Sequence, residues 1–169
     1  MLAALLYHLW ADPILRDVVN AKDSEPSKKL RASLALVSSD SSQLAYLKER
    51  ILDCDVDEYP VVRKILEPYR RGFEGQLWEA FRTGATDKAR FYAGISLALY
   101  DPASDKWTKS DTEYIVDQLL KSNPDYQRDL RSYLMPKSAS MLEPLRARFS
   151  DESQSDSIRK AAALALRHA

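Results

Sequence analysis

Apolar residues in this chain recur at helical spacing, and the pattern then repeats itself. Shifted by 68 residues, Tyr46, Leu47, Ile51 and Leu52 fall on Tyr114, Ile115, Leu119 and Leu120, in both copies a stripe along one helical face. VRKILEP (Val62–Pro68) falls on LRSYLMP (Leu130–Pro136), then Leu77 on Leu145 and Phe81 on Phe149, without a gap. After one inserted residue, at a shift of 69, Asp87, Arg90, Ala93, Gly94 and Leu97 meet Asp156, Arg159, Ala162, Ala163 and Leu166. An earlier copy, Leu34-Ala35-Leu36, lies 63 residues before Leu97-Ala98-Leu99 and lacks the insertion around Asp101 to Trp107.

Apolar spacing, capping residues such as Ser41, Ser42 and Asp111, and first-turn prolines at 13, 60 and 124 place the helices. They pair as 13–22 with 27–37, 42–53 with 58–71, 75–83 with 87–100, 109–122 with 124–135, and 138–149 with 155–168, behind a leading half-pair. No segment shows sustained period-two alternation bounded by turn signals, so no strands are expected. A two-helix unit cannot bury its stripe alone, and stacking of successive units supplies the shared core. The expected fold is therefore all-α: one array over residues 1–169, a right-handed α-solenoid of about five antiparallel hairpins.

Composition narrows the chemistry. The 169 residues include 45% hydrophobic and 30% charged side chains, the range of soluble globular chains. Four scattered glycines leave no Gly-rich phosphate loop. Two His at opposite ends and one Cys exclude a disulfide framework and a His/Cys zinc cage, and leave a Ser/His/Asp site without material. The opening MLAALLYHLW has no basic flank, and Asp12 interrupts it before a cleavage site, so it reads as a helix and not as a signal peptide. No stretch reaches the eighteen apolar residues of a membrane helix, and a cytoplasmic location is the expectation.

Asp156-x-Ile158-Arg159-x-x-Ala162-Ala163-x-x-Leu166 resembles the second helix of a HEAT or HEAT-like repeat, D-x-x-V-R-x-x-A-A-x-x-L. The copy from Asp87 to Leu97 carries Ala89 and Gly94 in place of the Val and the second Ala. Leu30-Arg31 stands at the Val-Arg place of the first copy, without the Asp. The resemblance spans nearly the whole chain and implies a fold, not a substrate. It also implies that the Asp and Arg form a ladder between adjacent repeats, and that second helices line the concave face. The stretch ARFYAGISLALYDPASDKW is similar to helical regions of large bacterial multidomain proteins that also carry kinase or formylglycine-generating-enzyme-like domains, which implies that the array over 1–169 is part of a longer chain. No kinase motif is present here.

Individual candidates for chemistry weaken on inspection. Asp53-Cys54-Asp55-Val56-Asp57 imitates the start of an EF-hand loop, but Glu58 and Lys64 stand where Gly and the bidentate Glu belong, so an acidic turn is expected. Cys54 in that turn is a candidate for exposure, without an assured cationic neighbour. Trp10, Trp78 and Trp107 invite comparison with HEAT-like alkylpurine DNA glycosylases; Trp10 and Trp78 read as core, Trp107 as part of the inserted loop. His8 and His168 lack partners at useful spacing. Neither a metal nor a cofactor is expected, and the chain reads as non-enzymatic.

Charge is neutral overall, 25 Lys and Arg against 25 Asp and Glu, yet unevenly placed. The second helices carry fourteen Lys and Arg against six acids, the first helices nine against eight. Lys28, Lys29, Arg31, Arg63, Lys64, Arg70, Arg71, Lys88, Arg128 and Arg131, with Arg159 and Lys160, are the expected partner-binding set on the concave face. Arg63, Arg90, Arg131 and Arg159 have a competing role as ladder residues. The expected task is scaffolding of an acidic protein or peptide. A nucleic-acid-binding array, or a spacer that self-associates through its apolar terminal helices, is the alternative.

Overall fold

A computed structural model describes the backbone of residues 2–167 and the side chains of residues 10–167. His8 and His168 lie outside the described side chains. Among the described residues the chain is helical throughout, with no strand. The helices are α1 (Leu2–Asn20), α2 (Pro26–Leu36), α3 (Gln43–Arg50), α4 (Tyr59–Leu66), α5 (Glu74–Thr83), α6 (Asp87–Tyr100), α7 (Lys109–Lys121), α8 (Pro124–Leu134), α9 (Ser138–Ser150) and α10 (Asp156–Leu166), with 3₁₀ turns at Glu67–Gly72 and Met135–Lys137. No described helix is long and apolar enough to cross a membrane.

The chain divides into two compact units, Met1–Arg70 and Arg71–Ala169. In the first, α1 packs on α2, α2 on α3 and α3 on α4. In the second, α5 packs on α6 and α9 on α10, while α6 also lies against α8 and α7 against α9.

Helix starts follow ordinary cap chemistry. Pro26 and Pro124 open α2 and α8, where the missing N–H has no intrahelical partner to lose. At α7 the cap is Thr108, not Asp111. The Thr108 hydroxyl accepts from the Asp111 amide and the Asp111 carboxylate accepts from the Thr108 amide, a reciprocal capping box. A larger difference lies at the N-terminus, where the expected leading half-pair and the helix at 13–22 are one helix that runs through Pro13. Proline removes one backbone donor without ending this helix, because Ala11 lies in the core and α1 packs along α2.

Five residue pairs related by the 68-residue shift share their burial. Leu47 and Ile115, Ile51 and Leu119, Val62 and Leu130, Leu66 and Leu134, and Leu77 and Leu145 are all core residues. Leu97 is fully buried, as its place in the stripe requires. Two equivalences break in the last hairpin. Phe81 is 2% exposed and Phe149 44%; Ile95 is 0% exposed and Leu164 42%.

The tryptophans distribute differently from expectation. Trp10 projects from α1 at 72% exposure, not into the core. Trp107 is half-buried and packs against the core: its ring stands edge-on to Trp78 with centroids 4.9 Å apart and lies 5.7 Å from Phe81. Both indole N–H groups are anchored on Asp101, Trp78 to the carboxylate at 3.0 Å and Trp107 to the backbone carbonyl at 2.9 Å. The inserted loop therefore closes over the α5–α6 hairpin with an aromatic plug whose polar edges are satisfied.

Candidate functional site

The second helices of the last two hairpins, α8 and α10, border two adjoining depressions of about 510 and 580 Å³. Leu164 of α10 lines both. One is walled by Arg128, Arg131, Ser132 and Met135 of the α8 segment. The other runs from Lys121 and Ser122 at the end of α7, past Pro124 and Gln127, to Ser157, Ile158, Lys160 and Ala161 of α10. Gln127 sets this geometry, because its buried amide donates to the carbonyls of Leu120 and Ser122 and ties the start of α8 to the end of α7.

No Asp or Glu lines either depression, whereas Lys121, Arg128, Arg131 and Lys160 do. Arg128 and Arg131 are one turn apart on α8, and neither forms an ion pair among the described residues. Burial, reinforced by the neighbouring Arg128 charge, lowers the Arg131 pKa below the ordinary arginine value. A guanidinium that is partly desolvated and faces another cation is a site at which an incoming anion relieves two unfavourable terms at once. Apolar surface lies beside it: Met135 and Leu164 are exposed, and beneath Arg131 an apolar cavity of about 20 Å³ is walled by Leu119, Leu134, Met141, Leu145 and Ala165.

The cleft on the first-helix side of the same unit differs. There Lys109 is bonded to Glu143 at 3.1 Å, and Lys137 lies 4.8 Å from the Trp107 ring centre while donating to the Pro102 carbonyl. Its cations already have partners.

The remaining candidates fall elsewhere. In the first unit Lys28 stands 3.8 Å from Glu25, Lys29 lies over the Tyr46 ring at 5.2 Å, and Arg31 and Lys64 are exposed. Arg63 is half-buried on α4. Arg70 and Arg71 are exposed on the 3₁₀ turn, and Lys88 caps the Tyr92 ring on its own helix at 5.9 Å. Arg90 and Arg159, the expected ladder residues, make the same bond in both copies. Each guanidinium Nε donates to the carbonyl closing the preceding helix, Arg90 to Phe81 at 3.4 Å and Arg159 to Phe149 at 3.2 Å. Among the described residues the ion pair of Arg90 lies within its own helix, with Asp87 at 3.9 Å. In this unit ion pairs instead join first helices: Arg82 of α5 to Asp111 of α7, Lys109 of α7 to Glu143 of α9, and Arg148 of α9 to Asp117 of α7 in a two-pronged contact at 2.6 and 3.0 Å.

The acidic turn holds no cation-binding arrangement; among the described residues no group of three or more His, Cys, Asp or Glu is placed to hold a metal. Arg50 knits the turn together through the Asp53 carbonyl and the Glu58 carboxylate. Cys54 is fully buried rather than exposed, its thiol directed at the Ile51 carbonyl at 3.7 Å. No family model, curated protein or solved structure matches the chain.

Proposed function

We propose that the chain is a non-enzymatic protein-interaction module that receives an acidic segment of a partner protein in the α8–α10 groove. The observation that carries this reading is the acid-free lining in which Arg128 and Arg131 lie side by side without carboxylate partners. Carboxylates of the partner would bridge the two guanidinium groups, and apolar side chains spaced one turn from them would rest on Met135 and Leu164. Lys121 and Lys160 extend the positive field along the groove and favour encounter with an acidic chain.

This reading includes the α-solenoid of HEAT-like hairpins. The packing of α6 on α8 and of α7 on α9, first helix to first and second to second, supports stacked hairpins in the second unit. A cytoplasmic scaffold is the setting in which such a module would work.

Fluorescence anisotropy tests the proposal, with a labelled helical peptide that alternates Glu and Leu faces, its Lys-for-Glu counterpart, and duplex DNA as probes. The Glu peptide is expected to bind, more weakly as salt rises, and the Arg128→Glu/Arg131→Glu protein is expected to lose that binding with unchanged helicity. Binding of duplex with a steep salt slope and no preference for the Glu peptide would overturn the reading in favour of a nucleic-acid array.

A further inference from the structure

Three hollows of the second unit are joined in series through shared walls. Arg131 and Met135 line both the apolar cavity of about 20 Å³ and the depression that holds Arg128, while Leu164 lines that depression and the one leading to Lys160 and Lys121. Their walls all belong to residues 119–165, so the series is built inside one unit. The cavity differs chemically from the two depressions. Leu119, Leu134, Met141, Leu145 and Ala165 wall it, and its size admits roughly one small group. An apolar group suits such walls better than a water, which needs about two to four polar partners, and the flexible side chains of Met135 and Met141 adapt to a branched one.

Arg131 fixes how far apart the parts of a ligand must be. It stands one turn from Arg128 and also lines the cavity, so a ligand that uses both features carries a carboxylate and a small apolar group side by side. A Glu inside a helical segment does not meet this requirement, because the nearest apolar side chain on its face is a turn away, about 5–6 Å between Cβ atoms. The last residue of a chain does meet it: its main-chain carboxylate and its side chain are attached to the same Cα, each about 1.5 Å from it.

We propose that the groove captures the C-terminus of its partner, a chain that ends in a small apolar residue such as Ala or Val and carries acidic residues just upstream. The inference rests on the groove being the receiving surface for an acidic segment, and it names which segment. The terminal carboxylate lies across Arg128 and Arg131, whose planar donor sets match its two oxygens. No acid lines the cavity or either depression, so that carboxylate meets no like charge there. The terminal side chain enters the cavity beneath Arg131, and the upstream acids follow the groove past Leu164 toward Lys160 and Lys121.

Anisotropy with the whole chain and labelled peptides that share upstream Glu residues provides the test. One peptide ends in Val with a free carboxylate, a second in Gly, a third in Phe, and a fourth is the Val peptide as its amide with one more upstream Glu to restore the charge. The free Val peptide is expected to bind about tenfold or more tightly than its amide and about fivefold more tightly than the Gly peptide, with the Phe peptide no better than Gly. On binding, Val shifts the Met141 methyl resonance and Gly leaves it in place. Arg128→Gln, at an exposed position, shrinks the preference for acid over amide. Equal binding of acid and amide would overturn the chain-end proposal, as would full displacement of the Val peptide by equimolar isobutyrate, which would assign the site to small free carboxylates. The groove reading is scored separately by the end-blocked Glu–Leu helical peptide: its binding, lost in the Arg128→Glu/Arg131→Glu protein, leaves the groove standing when the chain-end proposal fails, and its failure to bind removes both.

Discussion

The hairpins α5–α6 and α9–α10 share a register of apolar residues and differ in what surrounds them. In α6 every residue from Phe91 to Ala98 is buried, whereas in α10 only Ala162 and Ala165 are. Equivalent letters thus have unequal burial: Phe81 lies under Trp107 and Tyr114 while Phe149 meets solvent, and Ile95 is enclosed while Leu164 forms a groove wall. A repeat motif specifies the hairpin and its own internal seam, but its outer faces acquire their energetics from neighbours.

Truncation at matched positions should separate the two hairpins most strongly. Ile95→Ala should cost about 2–5 kcal/mol, as should Leu97→Ala, because each leaves a cavity in a closed core. Leu164→Ala should cost below about 1 kcal/mol, since its side chain is already half in water. Denaturant midpoints read both, and equal losses would dissolve the distinction between the hairpins.

Removing the charge of Asp111 should rank next. Burial alone would push this carboxyl up, but the Arg82 guanidinium and the amide and hydroxyl of Thr108 outweigh it and hold its pKa below the ordinary value. A lowered folded-state pKa stabilises the protein above the unfolded value, about 4, and that stability fades as pH falls through the lower folded value. Asp111→Asn should therefore cost about 1.5–3 kcal/mol at neutral pH and flatten the acid limb of the stability curve below about pH 4. An acid limb identical to that of the wild type would remove Asp111 from this role.

Smaller effects sharpen the picture. Gly94→Ala brings a methyl 2.9 Å from the Phe81 ring, an overpacking loss of about 1–3 kcal/mol that the helix preference of alanine partly offsets. The equivalent exchange in the open hairpin, Ala163→Gly, should cost only the propensity difference, about 1 kcal/mol. Both are read from thermal unfolding. Least of all, Arg128→Glu should leave stability within about 0.5 kcal/mol, as substitution of an exposed group without an ion-pair partner does.

Much of this architecture was legible in the residues. The 68-residue register located most helices within a few positions, and the stripe residues Leu47, Ile115, Leu77 and Leu145 are core. Local rules misled where tertiary packing overrode them. Pro13 looks like a helix start, yet α1 continues through it against α2. The sequence Asp101–Trp107 looks like a loop insertion, yet Asp101 holds two indoles and lays the loop, itself partly exposed, against the core aromatics Trp78 and Phe81. Cys54 sits among acids in the sequence and in an apolar interior in the fold. The excess of cations on second helices pointed toward Arg128 and Arg131, but the feature that singles them out could not be seen from spacing. The absence of any carboxylate across the groove depends on which face α10 turns toward α8, some thirty residues away along the chain. Conversely, Lys28 and Lys29 have partners in Glu25 and Tyr46, one of them a cross-helix contact that composition does not reveal.

The central claim is that the α8–α10 groove is where an acidic partner docks, and amide chemical-shift mapping with the Glu–Leu peptide tests it most directly. Saturable shifts are expected, concentrated on Arg128 to Met135 and Ser157 to Leu164 and absent in the Arg128→Glu/Arg131→Glu protein. Saturable shifts centred instead on α2 or on the Arg70–Arg71 turn, or none at a peptide excess at low salt, would contradict it.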